Sequence, residues 1–144
     1  MRLSGSYEFD APAAKVWAAL TNPKSLSGCI QGCESLDSVG DNQYTAVMNV
    51  GVGPIRGKYN AKVAMANLNP NQSFRLTVQG SGTMGFVEGH ADITLEERQG
   101  KTTVRVDADS QVGGAVARVG QRLMETVAKT MMDQFFNCLR RTVS

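Results

Sequence analysis

The chain has one histidine, His90, in 144 residues. A metal centre built on several histidines is therefore excluded within a single copy, and any Ser-His-Asp arrangement would have to use that residue. Cysteine is also sparse: Cys29, Cys33 and Cys138. Together with His90 they would number four zinc-type ligands. The spacing is poor, however, because Cys29 and Cys33 flank Gly32 in a loop and no second CxxC pair exists. An odd cysteine count without an export signal predicts free thiols. No apolar run approaches the ~20 residues of a membrane span. Met1-Arg2-Leu3-Ser4-Gly5 enters a strand pattern at once and lacks a signal-peptide core, which predicts a cytoplasmic location.

Charge of either sign is modest. Fifteen Lys+Arg against thirteen Asp+Glu give a net +2, too weak a footprint to predict a nucleic-acid partner, and the nine aromatics are scattered rather than grouped as base-stacking platforms. No GxSxG opens a helix, so an elbow nucleophile is absent. Gly51-Val52-Gly53 and Gly80-Ser81-Gly82 precede neither a helix nor a Lys-Ser/Thr pair, so they read as hairpin glycines and not as phosphate loops.

What is present is periodicity. Leu3, Gly5, Tyr7 and Phe9 share one face of a first strand. Asp10-Ala11-Pro12 then predicts a helix start, Asp as cap and Pro in the first turn, with Val16, Trp17 and Leu20 on the buried side. Asn22-Pro23 breaks it, and a short second helix is expected over 23–27. From Glu34 to Gln111 the period is two, punctuated by Gly40-Asp41-Asn42, Gly53-Pro54, Asn69-Pro70-Asn71, Gly82 and Gln99-Gly100. This predicts an antiparallel meander with one wet and one dry face. His90, Arg56, Lys58, Lys62, Arg75, Arg105, Asp107 and Asp109 fall on the wet face. After Val112-Gly113-Gly114 the period changes. Val116, Val119, Leu123, Val127, Met131, Phe135 and Leu139 form one stripe on a single helix over 115–140, about 40 Å long at ~1.5 Å per residue.

The expected fold is α+β: an antiparallel sheet of six to seven strands wrapped around a long C-terminal helix, with two short helices after strand 1, and one domain over 1–144. The dry face is made of small residues, among them Gly5, Ala46, Ala61, Gly80, Gly89, Ala91, Ala108 and Ser110. Either glycines curve the sheet and the helix fills the rest, or the two leave a cavity. Interiors pack to crystal density, so small residues need large partners opposite. The helix methionines can fill a gap or line an apolar pocket.

Four segments carry a family resemblance. Phe9-Asp10-Ala11-Pro12 with Val16-Trp17 resembles the opening of START-like helix-grip ligand-binding proteins. Cys29-Ile30-Gln31-Gly32-Cys33-Glu34, Val52-Gly53-Pro54-Ile55-Arg56-Gly57-Lys58-Tyr59 and the run from Val112 to Leu123 resemble segments of the carbon monoxide dehydrogenase G-subunit family. Gln31 stands where that family usually has Pro. The resemblance implies a helix-grip cavity and a non-catalytic accessory of a molybdenum hydroxylase that recruits the enzyme to the membrane or carries a quinone to it.

On this reading a lipophilic molecule, quinone or lipid, is lined by Trp17, Met48, Tyr59, Phe74, Val87, Leu123, Val127 and Met131, with Tyr59 facing a quinone carbonyl. Leu26, Ile30, Val52, Ile55 and Phe86 form an entrance or docking rim, with peripheral contact at the inner membrane face. No metal or cofactor is expected. Two other readings stay open. A cyclase- or hydrolase-type enzyme would draw on Tyr7, Tyr59 and Ser110. An assembly factor without a ligand would have a filled core and an exposed apolar patch.

Overall fold

The structure, a computed structural model, describes residues 1–52 and 55–143, and of Val52 and Ile55 the backbone alone. The expected turn at Gly53-Pro54 thus lies outside the described residues. The chain runs β1 (Arg2–Phe9), α1 (Ala13–Leu20), α2 (Pro23–Cys29), β2 (Cys33–Gly40), β3 (Gln43–Val52), β4 (Ile55–Asn69), β5 (Ser73–Gly82), β6 (Gly85–Arg98) and β7 (Lys101–Gly113). A short 3-10 turn (Ala115–Val119) and α3 (Gln121–Val143) complete it. The strands form one antiparallel sheet in the order β1-β7-β6-β5-β4-β3-β2. Each strand from β2 to β7 pairs with its sequence neighbour, and β1 closes the far side against β7 with Gly5 opposite Val106 and Tyr7 opposite Val104. This is the meander that the two-residue period predicts.

The short helices differ from expectation at their starts. Asp10 is exposed and does not cap α1. Pro12 occupies the N-cap position without a side-chain bond. The first-turn amide of Ala13 instead donates to Glu97 Oε1 at 2.6 Å, reaching across from β6. Asn22 caps α2 by accepting from the Lys24 amide at 2.9 Å, and α2 runs two residues further than expected, to Cys29.

The largest corrections concern the C-terminal segment. The helix is not continuous from Ala115. Residues 115–119 form a 3-10 turn, and Gly120, at φ 95° and ψ 149°, separates it from α3. Only glycine occupies that region of backbone space readily. The buried stripe of α3 is also rotated: Val127, Phe136, Leu139 and Val143 are buried, while Phe135 is half-buried. The reason is where α3 lies. It packs against β1, α1 and α2 at one side of the sheet, so Phe136 stacks on Tyr7 with ring centres 4.2 Å apart and meets Phe9 edge-on at 6.3 Å.

The thiol expectation also fails. Cys29 at the end of α2 and Cys138 in α3 form a disulfide with Cα atoms 5.4 Å apart, and Cys33 is the free cysteine. The count and compartment argument could not see that α2 docks against the C-terminal half of α3. With two of its ligands in a disulfide, the weak zinc set is removed as well. Among the described residues no group of three or more His, Cys, Asp or Glu is placed to hold a metal ion.

The main core lies at this end of the sheet. Phe9, Val16, Leu20, Val104 and Leu139 are at most 2 % exposed, and Tyr7, Phe74, Ile93, Leu95, Val106, Phe136 and Val143 pack with them.

Candidate functional site

The inward side of the sheet can be followed row by row from the strand registers. At the closed end, Phe74, Ile93, Val106 and Gly5 form one row, and Leu95, Val104 and Tyr7 the next. These rows are capped by α1, α2 and the C-terminal half of α3, and their large side chains are buried. Further along, the rows change character. Met65, Leu76, Ala91 and Ala108 are followed by Tyr44, Val63, Val78, Gly89 and Ser110, then by Ala46, Ala61, Gly80, Val87 and Val112. Leu76, Val63, Val78 and Val87 sit in central strands and face the helix side, yet each is only half-buried. In a filled sheet–helix sandwich such side chains are buried to crystal-like density. These side chains are therefore only partly covered by α3, although Met65 and Ala46 in the same rows are buried, and this half-covered stretch of the inner face is a shallow hollow.

A second, separate apolar cluster lies beyond the hollow. Val116 of the 3-10 turn and Val127 of α3 are its buried members. Val50, Met84, Val112, Val119, Met124 and Met131 pack around them. Val50 and Val112 stand near the ends of β3 and β7, and Met84 is in the β5–β6 turn, so the cluster marks the open end of the sheet.

The next row toward that end pairs Met48 with Tyr59 and Tyr59 with Gly82. Tyr59 is 8 % exposed. Among the described residues its hydroxyl is the buried side-chain oxygen or nitrogen without a hydrogen-bond partner. Buried polar groups in native proteins are nearly always paired, and an unpaired one costs about 1–3 kcal/mol. The site thus consists of an apolar, incompletely covered face with one buried hydroxyl free to donate or accept one bond.

A second polar group lies on the other side, at the seam of β1 and α3. Tyr7 donates to Asp133 Oδ1 at 2.6 Å. Lys129 donates to the same carboxylate at 2.8 Å and to the Tyr7 hydroxyl at 3.2 Å. Burial, then the Asp133 bond, raises the Tyr7 pKa; the Lys129 bond, then the Tyr7 bond, holds the Asp133 carboxyl below its usual range. All three groups are bonded to one another, and Lys129 and Asp133 stand open to solvent with side chains 45 % and 43 % exposed. The cluster therefore ties α3 to the edge strand, with its acid and its base bonded to one another.

The outer face is wet. Arg75 and Asp92 form a two-pronged ion pair there at 2.8 and 3.0 Å, and the pair pulls the Asp92 pKa down. A groove of about 530 Å³ crosses this face between Lys62, Gln79, Glu88 and Phe86. Its lining mixes polar and charged side chains with Val47, Ala61 and Phe86.

The structure distributes the expected lining residues unevenly. Met48, Tyr59 and Val87 are on the hollow's rows, and Val127 and Met131 belong to the open-end cluster. Trp17 and Phe74 meet edge-to-face with centres 5.3 Å apart, at the boundary of the main core. Leu123, in the first turn of α3, is 41 % exposed. Of the expected rim, Leu26 packs against the main core, Ile30 is half-buried at the end of α2, and Phe86 is 44 % exposed on the outer face with its ring over Gly113. The side chains of Val52 and Ile55 lie outside the described residues. Of the residues considered for an enzyme, Tyr7 is bonded as above and Ser110 is half-buried. Sequence reasoning missed the Tyr7–Lys129–Asp133 group, although the four-residue spacing of Lys129 and Asp133 was a legible signal. It also missed Val116 as a member separate from the main helix.

The sequence matches, over residues 5–144, the family model for the G-subunit of carbon monoxide dehydrogenase (CoxG). No curated protein matches it. Among solved structures it is similar to a conserved protein from Geobacillus kaustophilus, with 33 % identity, a TM-score of 0.97, and coverage of 99 % of this chain and 95 % of that one. A START superfamily protein from Mycobacterium smegmatis matches with a TM-score of 0.75 at 12 % identity, over 99 % of this chain and 96 % of that one. A Chromobacterium violaceum protein gives 0.74 at 14 %, over 99 % and 96 %. The last two likenesses establish the fold: a curved antiparallel sheet on a long C-terminal helix, of the START-like type.

Proposed function

The chain belongs to the carbon monoxide dehydrogenase G-subunit (CoxG) family, and from that premise we propose that residues 1–144 form one accessory binding domain that holds a lipophilic molecule, quinone or lipid, in the hollow between sheet and α3 and serves a molybdenum hydroxylase of the carbon monoxide dehydrogenase type. One observation carries this reading: the buried, unpartnered Tyr59 hydroxyl beside a half-covered apolar face. An apolar ligand body would cover the inward valines and methionines, gaining roughly 25 cal/mol per Å² of apolar surface removed from water. A carbonyl or hydroxyl on the ligand would pair with Tyr59. The inner rows named above present no Lys, Arg, Asp, Glu or His, so the ligand's own polarity must be low.

Delivery at the cytoplasmic face of a membrane fits the open end. Phe86 and Leu123 are exposed there, and Arg118 and Arg122 are exposed on the segment between them. Among the described residues no helix is long and apolar enough to cross a bilayer. The reading is of a carrier and not an enzyme, because the compact acid–base group Tyr7–Lys129–Asp133 is satisfied internally.

Native mass spectrometry of the purified protein, followed by organic extraction, tests the proposal. The expected result is a quinone or neutral lipid released in near-stoichiometric amount, with lower occupancy in Tyr59→Phe. A clean ligand-free mass, with no uptake when quinones and lipids are offered, would overturn it.

A further inference from the structure

The short segment between β7 and α3 lies at the open end of the sheet. Residues 115–119 are bracketed by Gly114 at φ 81°, ψ −158° and Gly120 at φ 95°, ψ 149°. Both conformations belong to the region that essentially glycine alone occupies, so each end of the segment is a swivel point that a side chain would forbid. Gly120 has nothing within 4 Å of where a Cβ would stand. Its glycine is thus required by its backbone angle and not by crowding.

Between the two swivels the segment is almost self-contained. The Ala117 amide donates to Gly114 O and the Gly120 amide to Ala117 O. Among the described residues, the backbone hydrogen bond that ties it to the sheet is from the Val116 amide to Met84 O, at 2.6 Å. The one buried side chain is Val116, 2 % exposed, which plugs the open-end cluster against Val127 and Met84 and touches Gly85. That cluster is separate from the main core, so Val116 can leave it without opening the closed end.

We propose that residues 114–120 are a gate over the open end of the hollow, with Val116 as stopper and Gly114 and Gly120 as hinges; this rests on the binding reading above. Opening breaks one backbone bond and withdraws two side chains, the buried Val116 and the half-buried Val119, which is a local motion of the kind from which binding-site lids are drawn. The segment covers the open end of the hollow when closed and uncovers it to a lipophile when open.

A gate makes a kinetic prediction that a lining residue does not. Destabilising the closed position raises the association and dissociation rates together and leaves Kd nearly unchanged. The test is stopped-flow binding of the neutral lipophilic fluorophore N-phenyl-1-naphthylamine to the full chain and to Gly120→Ala, which disfavours the closed backbone angle. Both rates should rise at least fivefold, with Kd within twofold. Val116→Ala, as a second variant, should speed association by at least as much. Unchanged rates in both variants, or faster dissociation alone, overturn the gate.

If the wild-type chain takes up neither the fluorophore nor the quinones and lipids offered above, the binding reading fails instead, and the gate is judged by amide hydrogen exchange. The Val116 amide should exchange at least tenfold faster in Gly120→Ala while the Val127 amide is unaffected. Equal behaviour of the two amides overturns it.

Discussion

Replacing Tyr59 with Phe separates the free protein from the loaded one by sign. In the free protein the hydroxyl is buried and unpaired, so folding bears its desolvation without a compensating bond, about 1–3 kcal/mol. Tyr59→Phe removes that oxygen and leaves the ring, which packs beside Met48 and Gly82. Little cavity is created, so the transfer loss is small. The free variant should therefore be more stable than wild type by about 1 kcal/mol, which for a chain of this size corresponds to a rise in Tm of roughly 3–4 °C. In the loaded protein the same substitution removes a hydrogen bond worth about 1 kcal/mol, so affinity for a carbonyl-bearing quinone should fall about fivefold. Thermal denaturation with and without a saturating quinone measures both. The free-state Tm should rise, and the ligand-induced increment should shrink. A Tyr59→Phe protein less stable than wild type when free would refute the reasoning, because the hydroxyl would then have a partner in solution.

Three further outcomes follow from the packing. Reduction of Cys29–Cys138, or Cys138→Ser, should lower stability by about 2–4 kcal/mol, since the bridge closes a loop spanning 109 positions; urea denaturation with and without reductant reads it. Leu139→Ala, at a position with no exposed surface in the main core, should cost about 2–5 kcal/mol and leave the open-end cluster intact, as urea denaturation and hydrogen exchange at Val127 would record. The Lys129–Asp133–Tyr7 group carries a pH signature at both extremes. The depressed Asp133 carboxyl stabilises the fold above its unfolded pKa, and that contribution disappears as pH falls through its lowered folded value. The raised Tyr7 and Lys129 values act oppositely, contributing below their unfolded pKa values and fading as pH climbs through the folded ones. Asp133→Asn should flatten the acid limb of a Tm–pH profile by a small amount, because two of the three side chains are open to solvent.

The strand half of the fold was legible because each strand keeps one face dry and its period is strict. The inward rows built from Ala46, Ala61, Gly80 and Val87 announced their small size in the sequence. The long helix was legible as an element but not in its details. Seven apolar residues at helical steps predict one continuous stripe, and the pattern has no way of showing that Gly120 adopts a backbone angle outside the helix. Phe135 and Phe136 are adjacent, so periodicity alone cannot tell which is buried. That choice follows from α3 leaning on Tyr7 of β1, a contact between residues more than a hundred positions apart. The disulfide has the same origin, since Cys29 and Cys138 become neighbours only once α2 docks on α3. Tyr59 was identifiable as inward-facing, whereas the lack of a partner for its hydroxyl is a property of its surroundings in three dimensions.

The bridge between Cys29 and Cys138 also partitions the molecule for mechanical load. Six of the seven strands lie inside the covalent loop it closes, and only β1, α1 and most of α2 precede it. A force applied between the two ends of the chain peels β1 from β7 and unravels the tail of α3, and then meets the sulfur–sulfur bond. At ~3.4 Å per residue, extension stops at about 120 Å rather than the roughly 490 Å of the whole chain. The hollow and its small-residue rows sit within the shielded loop, so tension that strips the first strand leaves strands β2 to β7 joined to one another.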